Sequence, residues 1–378
     1  MSREQEFLNA ARTGDQKTFL NILNDHSTNI DPNHTDEEDN TALIWAASTG
    51  QAAIVNILLA DDRTDPNLAD EDGETALIIA ARNGYRDIIS DLLADDRIDP
   101  NHADDFSNTA LILAACWGRG DIIRALLTNT RIEPNLADED GDTALIWVAR
   151  LGHGDILRVL LADERVNPNR ANELGNTALI LAAQDGDSVI VSALLADQRV
   201  NPNLANNMGE TALIWAAEIG HGDIVDILLA HTRIDLSHAD QAKKAIIIAT
   251  KNKHDKTLLL LLRFSSQRLS DDEIANLADS DRGFYKRILT RLLWRTRFRG
   301  IVRLMIYFRR MRLRAAEAVY APGGTGFDAA AERFSTAVAS HQLSSTSTLT
   351  STETNDITVG ITQATDEPGE PATKKQRT

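Results

Sequence analysis

The chain has 378 residues, a formal net charge of −17 and one cysteine, Cys116. A lone cysteine excludes an intrachain disulfide framework and points to a reducing, cytoplasmic setting. The longest aliphatic run, Leu258 to Leu262, falls far short of the ~20 apolar residues that cross a bilayer, and acids at Glu4 and Glu6 leave no apolar stretch for a secretory signal, so a soluble protein is expected.

The charge is unevenly placed. Between Arg282 and Arg314 stand Lys286 and eleven arginines with no acid, which leaves −29 on the remainder. So acidic a body disfavours nucleic acid as its main partner and favours proteins with basic and apolar surface. The basic stretch needs a separate reading.

In chain order, Phe7 to Leu23 reads as an incomplete unit without a preceding turn, the N-terminal cap of residues 1–35. Thr41, Thr75, Thr109, Thr143, Thr177 and Thr211 then each open a near-copy of Thr-Ala-Leu-Ile-X-Ala-Ala-X-X-Gly, always 34 residues apart. A constant interval of this size marks a solenoid of stacked modules.

Within the unit that starts at Asp70, Thr75 is placed to cap a short helix, and Leu77, Ile78 and Ile79 give it an apolar side. Ala80 and Ala81 admit a close neighbour, and Gly84 ends the helix. Ile88, Ile89, Leu92 and Leu93 form the buried stripe of a second helix. Pro100 then forces an extended loop, and an Asp/Asn and Gly pair closes a hairpin. Lys244 to Thr250 and Thr257 to Leu262 form a decayed last unit of about 240–263 that begins the C-terminal cap.

Helix, turn, helix and hairpin at this period resemble the ankyrin repeat over residues 1–263. The resemblance implies an all-α solenoid with short β-hairpin loops, whose concave face holds a partner protein. Departures are visible. The family's Thr-Pro-Leu-His stands here as Thr-Ala-Leu-Ile, so apolar packing is expected where a histidine would hydrogen-bond. The unit has one residue more than the family's usual length, placed between Leu59 and Asn67. Asp39 and Ser107 replace hairpin glycines, and looser turns are expected there. Trp45, Trp147 and Trp215 share one position and are expected in the core.

The family frame assigns hairpin tips and first-helix ends to the concave face. Those positions hold acids in the early units, including Glu71 and Asp72, and Glu139 and Asp140 further on. Later units present Phe106, Trp117, Leu151, Leu174, Met208 and Ile219, with Arg82 and Arg150 among them. Such a set, apolar and rimmed by carboxylates, has the composition of a protein interface, with Trp117 as its principal anchor. Equally, isolated exposed apolar residues are ordinary, or some pack on neighbouring hairpins.

Chemistry is not indicated. The histidines follow the repeat, with units about 10 Å apart, and neither a His-Glu-X-X-His nor a paired-cysteine motif occurs, so no metal, cofactor or catalytic residue is expected. Ala321 to Gly326 lacks the Lys-Ser/Thr ending of a phosphate loop.

Residues 264–334 are expected to form a basic helical module. It docks on the last repeat, or contacts an anionic membrane through Arg295, Arg297, Arg299, Arg309, Arg310, Trp294 and Phe298, or, less in keeping with its sequence, binds nucleic acid. From Ser335 on, 17 of 44 residues are Ser or Thr without apolar periodicity, which implies a disordered tail. Lys374, Lys375 and Arg377 form a weak nuclear-entry motif. The layout, with Ala321-Pro-Gly-Gly-Thr-Gly-Phe327 and the acidic tail residues Glu367 and Glu370, resembles ankyrin-repeat effectors of intracellular bacteria that reach host cytosol by type IV secretion. A monomeric, non-catalytic interaction scaffold is the resulting expectation, with a membrane-surface adaptor as the alternative.

Overall fold

The computed structural model describes residues 2–25, 30–235 and 239–265. Helices α1 (Arg3–Thr13) and α2 (Gln16–Leu23) open it, and Phe7 stacks on Phe19 between them with ring centroids 4.5 Å apart. Next come the pairs α3 (Ala42–Thr49) and α4 (Ala52–Leu59), α5 (Ala76–Asn83) and α6 (Arg86–Ala94), and α7 (Ala110–Cys116) and α8 (Gly120–Thr128). They continue with α9 (Ala144–Arg150) and α10 (Gly154–Ala162), α11 (Ala178–Asp185) and α12 (Ser188–Ala196), and α13 (Ala212–Ile219) and α14 (Gly222–Ala230). Last are α15 (Ala239–Lys251) and α16 (Asp255–Ser265).

First helices pack on first helices and second on second, which gives an inner and an outer layer. Among the described residues no helix is long and apolar enough to cross a membrane.

The inner helices begin where a threonine hydroxyl accepts the N–H three residues on. Thr41, Thr75, Thr109, Thr143 and Thr177 do this at 3.2–3.5 Å, satisfying a donor that the helix itself leaves unpaired. The hydroxyl of Thr211 is buried without a partner. Isoleucines 44, 78, 112, 146, 180 and 214, at the position of the family's histidine, are at most 1% exposed. Each contributes roughly 1.5–3 kcal/mol of apolar burial in place of a polar bond.

Left-handed glycines end the inner helices, and the next unit explains why a side chain is not tolerated. A Cβ on Gly186, at φ 84°, would meet the imidazole of His221 at 2.7 Å. That ring in turn sits 3.2 Å from the Gln184 carbonyl, and His254 lies 2.9 Å from the Glu218 carbonyl. These histidines therefore join one repeat to the last.

Each hairpin is reduced to a single antiparallel bridge, Thr35 with Thr41 and its five equivalents. The expected loosening does not occur at Ser107, whereas Asp39 closes its turn with a longer bond, 3.3 Å to Asp36 O. Both adopt the left-handed conformation, at φ 59° and 63°, and the N–H of Ser107 donates to Asp104 O at 2.9 Å much as Gly73 does to Asp70 O at 3.0 Å. The closing bond and the ladder between neighbouring tips impose the turn on a residue that prefers another conformation. In that ladder, for example, Glu71 N–H donates to Glu38 O at 3.2 Å and Glu173 N–H to Asp140 O at 3.0 Å.

On the outer side, the extra residue of each unit accompanies an arginine. Arg165 is held by Asp163, and its guanidinium donates to the carbonyls of Leu127 at 2.7 Å and Ile132 at 3.2 Å in the unit before. Arg63, Arg97, Arg131, Arg199 and Arg233 reach back in the same way. An asparagine completes the link: Asn135 donates to Arg165 O at 2.7 Å and accepts from Asn167 N–H at 2.6 Å. The loop is polar in composition but tied at every repeat.

Candidate functional site

Between hairpins and inner helices runs a groove whose floor is polar. In the fourth repeat the Trp147 indole donates to Asp138 at 2.7 Å, Arg150 pairs with Asp142 at 2.7 Å, and its guanidinium lies 5.0 Å above the Trp147 ring. In the second repeat Arg82 likewise pairs with Glu74. Asn172 extends the network by donating to Asp142 at 2.8 Å, and Asn206 by donating to Asn176 at 3.0 Å.

This geometry corrects the expectation for the tryptophans. Trp45, Trp147 and Trp215 are half-buried on the groove floor rather than in the core. The equivalent Ile79 and Leu181 are covered, at 3% and 8% exposed, and Leu113 is half-buried; an indole is larger and must place its N–H near an acceptor. Trp45 finds Asp36 at 2.8 Å. Trp215 has asparagine, Asn206, where the others have aspartate, and its indole nitrogen is buried without a partner.

All six apolar residues picked from the sequence are exposed: Phe106 57%, Trp117 59%, Leu151 44%, Leu174 66%, Met208 65% and Ile219 45%. They divide into two rows. Phe106, Leu174 and Met208 are hairpin-tip residues. Trp117, Leu151 and Ile219 lie at the far ends of α7, α9 and α13, with the network of Arg150 and Asp142 between the rows. The acids Glu71, Asp72, Glu139 and Asp140 are exposed tips. Arg82 and Arg150 have their guanidinium groups engaged by carboxylates of their own hairpins.

The sequence reading omitted Val189 and Ile247, which are 59% and 52% exposed. Val189 sits at the start of an outer helix where the three preceding repeats carry Asp155, Asp121 and Asp87, and that change of polarity was its signal.

Burial pushes the Asp36 carboxyl up, but hydrogen bonds from Trp45, Asn40 and Glu38 together hold it below its ordinary value. Glu74 is raised by burial despite its Arg82 partner, and Asp185 is raised by burial as well. Burial, reinforced by Asp138, pushes the Cys116 thiol up to about 12. It is therefore protonated at neutral pH and a poor nucleophile. Among the described residues no group of three or more His, Cys, Asp or Glu is placed to hold a metal ion.

Arg295, Arg297, Arg299, Arg309, Arg310, Trp294 and Phe298, like the whole basic module and the tail, lie outside the described residues.

Comparison with curated proteins gives no match. The family model described as ankyrin repeats, in three copies, matches six overlapping stretches, at 7–104, 62–138, 92–172, 130–206, 161–240 and 179–271. Ankyrin repeats are in general protein–protein interaction modules, and the family is typically a non-catalytic scaffold. With well over half of its residues matched and the paired helices, hairpins and groove all present, this chain belongs to the ankyrin-repeat family.

Proposed function

We propose that the groove of the third to sixth repeats captures a partner protein whose surface combines apolar side chains with basic ones. The observation that carries this reading is the replacement of polar side chains by exposed Phe106, Trp117, Leu151, Leu174, Met208 and Ile219 at tip and helix-end positions. Exposed aromatic and aliphatic residues on a rigid backbone supply anchors at little entropic cost. Asp105, Glu139, Asp140 and Glu173 rim them, favouring arginine or lysine opposite and excluding acidic surfaces. The rigidity comes from the tip ladder and the network beneath it.

A pulldown from cell extract with the whole chain, read by mass spectrometry, tests this. The double variant Trp117→Ala, Leu151→Ala should lose the principal captured protein, about 100-fold or more in affinity if both act as anchors. Arg158→Ala, on the outer helix α10, should retain it. Undiminished capture by the folded double variant would remove the groove as the binding face.

A further inference from the structure

A cleft of about 640 Å³ lies between α1 and the first hairpin, lined by Gln5, Asn9, Arg12, His34, Glu37 and Trp45 among others. We propose that it is a second binding site, at the N-terminal end of the groove and apart from the third to sixth repeats, which takes a turn of another protein with the form Asx-X-X-Gly-Glu or Asx-X-X-Gly-Asp.

The chain supplies the template. From the second hairpin to the sixth, the second residue of each tip donates its N–H to the third residue of the tip before, at 3.0–3.2 Å. Among the described residues no hairpin precedes α1, and Glu37 N–H has no such carbonyl. The slot that a preceding hairpin fills five times is open here.

Arg12 points to the charge required. It stands two residues before Gly14, as Arg82 stands before Gly84 and Arg150 before Gly152. Arg82 and Arg150 each pair with the fifth residue of the hairpin that leads into their own helix, Glu74 and Asp142. Among the described residues Arg12 has no such hairpin. It donates to Asn9 Oδ1 at 3.2 Å and lies 5.3 Å above the Trp45 ring, and it makes no ion pair among the described residues. An incoming turn would give Glu37 its carbonyl and Arg12 its carboxylate together.

The remaining charges limit the occupant. The Asp36 carboxylate is taken up by the Trp45 indole and backbone N–H groups, but Glu37 and the acidic body repel additional negative charge. One carboxylate, at the fifth position, is therefore preferred. The sixth hairpin, Asn206-Asn207-Met208-Gly209-Glu210, shows that the other positions can be neutral. A second copy of the repeats is a poor donor. Its inner hairpins are flanked by neighbours, and its last tip is closed by the Lys244 ammonium, 3.3 Å from Met208 O.

The test is fluorescence anisotropy of a labelled, cyclised peptide with the sequence of residues 205–211, titrated with the whole chain. Saturable binding is expected. Arg12→Gln should weaken it about tenfold, the scale of one charge-assisted hydrogen bond. Replacing the peptide's glutamate by glutamine should cost as much on the wild type and nothing further on Arg12→Gln. Glu37→Pro deletes the N–H at a turn position that accepts proline, and should weaken binding while the chain stays folded. The variant Trp117→Ala, Leu151→Ala should bind the peptide as the wild type does, which separates this site from that of the third to sixth repeats. Absence of saturable binding, an equal glutamine penalty on both proteins, or full binding by Glu37→Pro would overturn the proposal.

Discussion

The outer loops and the groove are built from the same 34-residue unit and use it in opposite ways. Outside, arginine and asparagine recur at every complete repeat, and each copy makes nearly the same bonds to its neighbour. Inside, tip and helix-end residues change from acid to aromatic to aliphatic while the backbone beneath them stays the same. Positions that repeat hold the solenoid together, and positions that vary are free of that duty. Stability and binding should therefore be separable by mutation.

The largest effect expected is at the outer arginines. Arg165→Ala removes donors from the carbonyls of Leu127 and Ile132 and leaves Asp163 without its partner. A loss of about 3 kcal/mol is expected in urea denaturation. Trp117→Ala with Leu151→Ala, whose side chains are 59% and 44% exposed, should cost less, about 1 kcal/mol. Comparable losses in the two variants would erase the division of labour.

Acid titration addresses the outer Asp–Arg pairs as a whole. Hydrogen bonds from Arg63, Arg97, Arg165 and Arg199 hold Asp61, Asp95, Asp163 and Asp197 below the ordinary aspartate value. A depressed folded-state value contributes stability that is complete above the unfolded value, about 3.9, and is lost as pH falls through the folded one. Glu74, raised by burial, works in the opposite sense, since its protonation relieves a cost as pH falls. The urea midpoint should hold or rise slightly towards about pH 4 and drop steeply below it. Asp95→Asn with Asp163→Asn should flatten that acid limb, and an unchanged limb would mean the carboxylates are not coupled to folding.

How far the sequence announced this structure depends on whether a feature was local to one repeat. Threonine caps, buried isoleucines and exposed apolar tips follow from position within the unit and were legible. The tryptophans were misread because their position is covered when it holds Ile79 or Leu181 but half-open when it holds Leu113 or an indole that reaches for Asp36 or Asp138. The outer arginines were missed because Asp-X-Arg looks like a solvated loop inside one repeat, and only the recurrence of Arg63 through Arg233 signals a bond to the repeat before. The open slot at Arg12 required knowing what Arg82 and Arg150 bind.

Thr64 sharpens the comparison from within the outer layer. Its equivalents Ile30, Ile98, Ile132, Val166 and Val200 are buried and Ile234 is half-buried, while its own hydroxyl is buried without a partner among the described residues. Thr64→Val keeps the shape and the backbone carbonyl that Arg97 uses, while removing an unsatisfied polar atom. A gain of about 1–2 kcal/mol is expected by thermal or urea unfolding. A loss would show that the hydroxyl has a partner in solution.

The smallest effect concerns the tips, where folding and the groove meet. Ser107 is held at φ 63°, a conformation that disfavours a side chain by about 1–2 kcal/mol. Glycine removes that cost but has more freedom to lose on folding, about 0.5–1 kcal/mol. Ser107→Gly should therefore stabilise by only about 0.5–1 kcal/mol. At Gly73 the sign reverses, because a Cβ there would lie 2.9 Å from the backbone nitrogen of Asp105, so Gly73→Ala adds backbone strain and a clash with the next tip. Unfolding both variants in urea separates two origins of tip rigidity. Opposite signs assign it to the turn and ladder together, whereas two losses would mean that Ser107 stabilises its tip through contacts that outweigh the strain.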